Sequence, residues 1–163
     1  ISNILIILDQ VTKFWITLHI PRHYSISVVE GFFNLTHIRN PGVAFGLFAS
    51  HESEFKVLFF VVTSMIAIIA ILIIFHQSPE NKKAARIGLI LIFSGAVGNL
   101  IDRIVFKEVI DFLDFFYNGF HWPAFNIADS CITIGVSFMM YDLFFGYPEK
   151  TNISNPPNKS EQL

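Results

Sequence analysis

A single cysteine, Cys131, stands in the 163 residues, so neither an intramolecular disulfide nor a zinc site built on paired thiolates is open to this chain. Cys131 itself reads as a small apolar helix residue. Charge is scarce too: Asp, Glu, Lys and Arg make up 15% of the residues, against roughly one quarter in soluble domains. The net charge is -2 and there is no basic run, which leaves no footprint for nucleic acid. No HExxH or paired Cys/His spacing occurs, so His37 and His121 read as ordinary loop histidines. No Ser or Cys sits in a nucleophile elbow, and no glycine loop is built to cradle phosphate. Metal-assisted hydrolysis, covalent acyl transfer and nucleotide chemistry all lack their usual residues.

What is abundant is apolar surface: 53% of the chain is hydrophobic and 15% aromatic. The stretch 55–75 is 21 residues long with Lys56 its only charge, enough to cross a hydrocarbon core of about 30 Å. Residues 1–20 and 127–145 are apolar apart from scattered polar positions. The uncharged run between Arg86 and Asp102 has 15 residues, about 22 Å of helix, so a span over 86–104 must carry Asp102 and Arg103 at or just inside an interface. These four spans predict an α-helical integral membrane protein with a single domain over residues 1–145. The chain opens at Ile1, without an initiator Met, and its first apolar segment lacks a small-residue cleavage site, so it reads as a retained anchor.

Four helices leave two long connections, 21–54 and 106–125, on one membrane face and a short loop, 76–85, on the other. The first long connection has strand character over 24–29 and 32–38 around Glu30-Gly31, followed by an Asn40-Pro41-Gly42 turn before Val43 to Phe48. It predicts a small β-sheet cradle; the second is expected as a loop. Lys82, Lys83, Arg86, Lys150 and Lys159 lie on the short-loop side and Arg22, Arg39, Lys56, Arg103 and Lys107 on the other. That tie breaks toward a cytoplasmic short loop and tail if Arg39 and Arg103 belong to a site. The tail 146–163, rich in Pro, Asn and Ser, reads as disordered.

Polar residues inside such a chain are functional suspects, because a charge at the centre of a span costs about 2.5 to 3.5 kcal/mol on insertion scales. The parity of the helices lets Asn40, Asp102, Arg103, Asp111, Asn126 and Asp129 converge near one interface, with Asp9 and Asp142 apart. Two carboxylates held close in a poorly solvated site share a proton, so one can act as base toward water and the other as acid toward a carbonyl oxygen. Asp111 and Asp129 are the candidates for that pair. Asn99, Asp102 and Arg103 share a helix face, Arg103 being placed either to pair with Asp102 or to hold a substrate carbonyl. Asn126 is set to cap the last helix or to orient an aspartate. Asp9 and Lys13, at i and i+4 with the acid first, form an ion pair that is structural or chemical. Tyr117 and Trp122 read as interfacial aromatics.

Five ordered blocks carry a resemblance: Asp9-Gln-Val-Thr-Lys13, Asn40-Pro-Gly42-Val-Ala-Phe45-Gly, Gly95-Ala-Val-Gly98-Asn99-Leu-Ile-Asp102-Arg103, Val109-Ile-Asp111-Phe112 and Trp122-Pro-Ala-Phe-Asn126-Ile-Ala-Asp129. Together, over Asp9 to about Tyr141, the chain resembles bacterial lipoprotein signal peptidase, the signal peptidase II family. Pro41 and Val43 are small departures from its asparagine-glycine block. The resemblance implies an intramembrane aspartic endopeptidase that cuts prolipoproteins just before a diacylglyceryl-modified cysteine, with no cofactor. It implies catalytic Asp111 and Asp129, and supporting Asp9, Lys13, Asn40, Gly42, Asn99, Asp102, Arg103, Asn126 and Ala128. The expected setting is the bacterial cytoplasmic membrane, with the site at its outer face, membrane lipid around a monomer, and substrate clamped by strand addition to the first loop. A small proton-coupled transporter or channel, which would spread its acids through the membrane depth, is the competing reading, and a noncatalytic scaffold is a second.

Overall fold

The computed structural model describes residues 1–42 and 53–146. The segment Val43 to Phe48 and the tail beyond Gly146 lie outside the described residues. Along the chain run α1 (Ser2–His19), β1 (Ser25–Val29), β2 (Phe33–Asn40), α2 (Ser53–Gln77), α3 (Lys83–Phe106), β3 (Val109–Tyr117), β4 (Phe120–His121) and α4 (Ile127–Phe145). The α2–α3 connection is thus shorter than the sequence reading of 76–85.

The helices pack inside out relative to a soluble bundle, with apolar residues outward and small or polar residues inward. Three of them, 54–77 within α2, then α3 and α4, are long and apolar enough to cross a membrane. In α1 the side chains of Ile4, Ile7, Val11, Phe14 and Leu18 form an exposed stripe at helical spacing, while Asp9, Lys13 and Ile16 are buried. α3 is central and meets α4 along the most extensive contact, which small residues make possible. Gly88 of α3 and Gly135 of α4 face each other so closely that a Cβ on either would come within 2.6 Å of the other's carbonyl oxygen.

The four strands form one antiparallel sheet in the order β1-β2-β3-β4. Expected strands 24–29 and 32–38 appear as β1 and β2. The segment read as a loop, 106–125, instead supplies β3, a central strand of the sheet, and β4. Two backbone devices allow this. Lys107, at φ 63°, ends α3 in the left-handed cap conformation and turns the chain at once into β3. Asn118 and Gly119, at φ 49° and 80°, make the two-residue reversal between β3 and β4, where an Asn-Gly pair matches the twist of the strands.

The sheet is sealed to the bundle by Ile16 and Ile20 from the end of α1 packed on Ile110 and Phe112 of β3, with Leu35, Leu113 and Ile127 around them. His37 is buried in β2, not an ordinary loop residue: its Nδ1 donates to the Ile20 carbonyl at 2.7 Å and its Nε2 accepts from Arg39 at 3.0 Å, which requires the neutral ring. Arg22 and Glu108 add an ion pair at 2.8 Å between the loop after α1 and the start of β3.

Gly88→Val should therefore push α3 from α4 and cost stability on the order of 1 to 3 kcal/mol, seen as a lower unfolding temperature of the detergent-solubilised protein. An unchanged midpoint would show that the helices separate without cost at this point.

Candidate active site

α1 offers three polar side chains to the bundle at one level, and α3 meets them where Gly98 leaves room. A Cβ at Gly98 would lie 2.5 Å from Asp9 Oδ2. Lys13 Nζ donates to Asp9 Oδ2 at 2.8 Å and to Asn99 Oδ1 at 3.0 Å, and pairs with Asp102 Oδ2 at 2.8 Å. The ammonium is 1% exposed and all three of its donors have acceptors. Asp102 also accepts from the Ile110 backbone N–H at 3.2 Å and from Gln10 Nε2 at 3.0 Å. Asp9 accepts from the Ala128 backbone N–H at 2.9 Å. One buried network thus fixes the N-terminal ends of β3 and α4 against α1 and α3.

Those two ends carry the candidate pair. Asn126 caps α4: its Oδ1 accepts from the Asp129 N–H at 2.9 Å, while Asp129 Oδ2 accepts from the Asn126 N–H at 3.3 Å, a reciprocal capping box. The same Asn126 donates from Nδ2 to Asp111 Oδ1 at 2.8 Å, and approaches Asn99 Oδ1 and the Ile110 carbonyl at 3.2 Å each. With two hydrogens and three acceptors, one hydrogen is shared. Asn99 Nδ2 donates to Asp129 Oδ1 at 2.7 Å. On the other side of Asp111, Asn40 Nδ2 donates to Oδ2 at 3.0 Å, and Asn40 Oδ1 in turn accepts from the Gly42 N–H at 2.8 Å. Gly42 sits at φ 84° with its α-carbon against the Phe60 ring, so no side chain fits there.

Both aspartates are held by amides rather than cations. Asp111 is 2% exposed, and burial pushes its pKa up to about 6. The Asn40 and Asn126 donors pull it back, the neighbouring Asp129 charge pushes it further up, and the more distant Lys13 lowers it. Asp129 and Arg103 are only half-buried, so the site opens on their side. Arg103 does not pair with Asp102, whose partner is Lys13. Its Nη1 makes a long 3.4 Å contact with the Asn99 carbonyl, its guanidinium lies 5.5 Å from the Phe60 ring centroid, and the nearest carboxylate fields are those of Asp129, Asp102 and Asp111.

All eleven residues singled out in the sequence meet in this one assembly. Asp9, read as standing apart, belongs to it through Ala128. Two participants were not singled out. Gln10 bridges Asp9 and Asp102, at 3.1 and 3.0 Å, from its place inside the first motif block. Asp114, nearly buried, accepts from Asn34 at 3.0 Å and pairs with His121 at 2.8 Å. That clamp, with the Leu113–Phe125 backbone pairing, sets the segment leading into Asn126 against β3; the Asn118-Gly119 turn was its legible signal.

A family model described as signal peptidase (SPase) II matches residues 1–145. Lipoprotein signal peptidases from Desulforapulum autotrophicum and Syntrophus aciditrophicus are 49% identical over 145 residues and 45% identical over 150. These alignments cover 89% of this chain and 90% of the first relative, and 92% and 93% for the second. Two solved bacterial membrane enzymes, obtained by the in meso method at 2.3 and 1.9 Å resolution, share the fold with TM-scores of 0.79 and 0.77 and 34% identity. They align over 95% and 90% of this chain and 92% and 91% of their own.

The Asp111 environment makes a titration prediction. Its folded pKa lies above the ordinary value, so the stabilisation from protonated Asp111 is present at acid pH and lost as pH rises through about 6. The protonated-carboxyl infrared band should vanish with a midpoint near pH 6. In Asn40→Ala, which lacks a donor to the ionised form, the midpoint should move up. A midpoint that stays or falls would show that Asn40 does not stabilise the carboxylate.

Proposed function

The chain belongs to the signal peptidase II family, and on that footing we propose that Asp111 and Asp129 are its catalytic pair. The activity is the family's: aspartic proteolysis that removes signal peptides from prolipoproteins. The observation that carries the site assignment is the pair of buried amides, Asn99 and Asn126, tying Asp111 and Asp129 into one hydrogen-bonded unit with no cation paired with either among the described residues.

In this reading Asp111 holds the shared proton, in keeping with its burial, and the negative charge rests on Asp129 in the first turn of α4, where the helix dipole favours it. Asp129 takes a proton from water as its oxygen attacks the scissile carbonyl carbon. Asp111 delivers its proton to the carbonyl oxygen, giving a neutral tetrahedral diol. Asp111, now ionised, takes back a hydroxyl proton as the C–N bond breaks, and Asp129 passes its proton to the leaving amine, so the pair returns to its starting charge. Arg103, half-exposed beside Asp129, holds a substrate carbonyl. Asn40 and Gly42 fix Asp111; Asp9, Lys13, Asp102 and the Ala128 N–H hold the scaffold under both.

The same reading makes α1 a fourth span. Its outward stripe of Ile4, Ile7, Val11, Phe14 and Leu18 supports this, since the inward polar residues are fully paired and the outward face is apolar. Residues 1–145 then form one membrane protease domain, a monomer of the bacterial cytoplasmic membrane with the sheet and the aspartates at its outer face. The substrate is a prolipoprotein whose cysteine already carries diacylglycerol, arriving in the bilayer plane. The open edge of β1, at the end of the strand order, is available to an extended segment by strand addition. The acids of the site, gathered at one end of the bundle away from Asp142 at the other, suit chemistry at a surface more than conduction through it.

Asp111→Asn and Asp129→Asn should each leave a folded, membrane-inserted protein and cut turnover by at least about 10²-fold. The assay is a gel shift of purified protein with diacylglyceryl-modified and unmodified prolipoprotein, and only the modified form should be cleaved. Wild-type-like turnover in either variant would remove that residue from the pair.

A further inference from the structure

Beside the turn that carries Asn40, a pocket of about 300 Å³ lies between the start of α2 and the end of α3, lined by Pro41, Lys56, Val57, Phe106, Lys107 and Glu108. Its depth follows from the helices. Both are long and apolar enough to cross a membrane, and the pocket sits where one begins and the other ends, which is the level of lipid headgroups. Its apolar walls, Val57 and Phe106, run on into Leu58, Ile104 and Val105, each at least 62% exposed on the outer surface of the two helices.

The charge around it is unbalanced. Glu108 is engaged by Arg22 at 2.8 Å, and neither Lys56 nor Lys107 has an ion pair among the described residues. A third cation, Arg39, lies behind the wall with its guanidinium 4.8 Å from the Phe106 ring centroid and a buried Nη1 that has no hydrogen-bond partner among the described residues. Lys56, in the second turn of α2, gains nothing from the positive end of that helix. Two unpaired ammonium groups over an apolar trough at headgroup depth form a site for a phosphate diester that carries acyl chains. We infer that this pocket binds an anionic phospholipid, its phosphate between Lys56 and Lys107 and a chain along Val57 and Phe106. A zwitterionic lipid offers the same chains, but its own ammonium competes for the phosphate, so the pocket discriminates by net headgroup charge.

Native mass spectrometry of the full chain in mild detergent tests this, titrating dioleoylphosphatidylglycerol, dioleoylphosphatidylcholine or inorganic phosphate. The anionic lipid should bind about 30-fold more tightly than the zwitterionic one, as two surface cations imply. Lys56→Gln combined with Lys107→Gln should abolish that preference. Lys56→Arg with Lys107→Arg should keep it, and Lys83→Gln, at the opposite ends of the helices, should leave it unchanged. Equal binding of the two lipids, a preference that survives the double glutamine variant, or an equal loss in Lys83→Gln would overturn the site. Displacement of the anionic lipid by inorganic phosphate at comparable concentration would overturn a lipid as its occupant.

Discussion

The ammonium of Lys13 is the point on which the rest of the molecule turns. A lone charge at 1% exposure would be prohibitively desolvated, yet this one has three acceptors on two helices, Asp9, Asn99 and Asp102. Those carboxylates in turn receive the backbone N–H groups of Ile110 and Ala128, each beside a candidate catalytic aspartate in the chain. Removing one member of such a buried ion pair typically costs about 3 to 5 kcal/mol, because the partner is left charged and unpaired. The network therefore acts as a fixed datum: if α1 is in place, so are the start of β3 and the start of α4.

That division of labour explains the electrostatics of the aspartates. All the donors of Lys13 are engaged one layer below them, and Arg103 stands to one side, so neutral amides are what touch Asp111 and Asp129. An amide orients a carboxylate without forcing it to ionise as strongly as a cation in contact would. Burial can then push Asp111 to about 6, within the range where a carboxyl group both holds and gives up a proton near neutrality. Asn126 couples the two demands, since its carbonyl caps α4 while its amide reaches Asp111. The capping and orienting roles open to it in the sequence are both filled by one side chain, one through each end of its amide.

Much of this was legible in the residues. Low charge and long apolar runs mark the helices, and polar side chains stand out against that background, so nine of the eleven site candidates were visible that way; Gly42 and Ala128 came only from the family resemblance. The strands β1 and β2 showed alternation around a Glu30-Gly31 turn. β3 did not, because Val109 to Phe112 is buried on both faces by α1, α3 and the neighbouring strands, and a short apolar run of that kind has no period of two to read. For the same reason Asp111 was expected in a loop and not on a strand. The partner of Asp102 was left open on spacing: Arg103 is adjacent in sequence, but the partner came from α1, a distance no local pattern measures.

The sequence by itself determined the class of molecule and the inventory of its chemistry, since hydrophobicity and residue type are properties of single positions and their near neighbours. Only the tertiary structure decided which charges neutralise one another, which aspartate is buried, and that amides rather than cations contact both. Those outcomes depend on where separate segments, Asp9 to Lys13, Asn40, Asn99 to Arg103, Asp111 and Asn126 to Asp129, come to rest in three dimensions, and burial and Coulomb energy are functions of that placement alone.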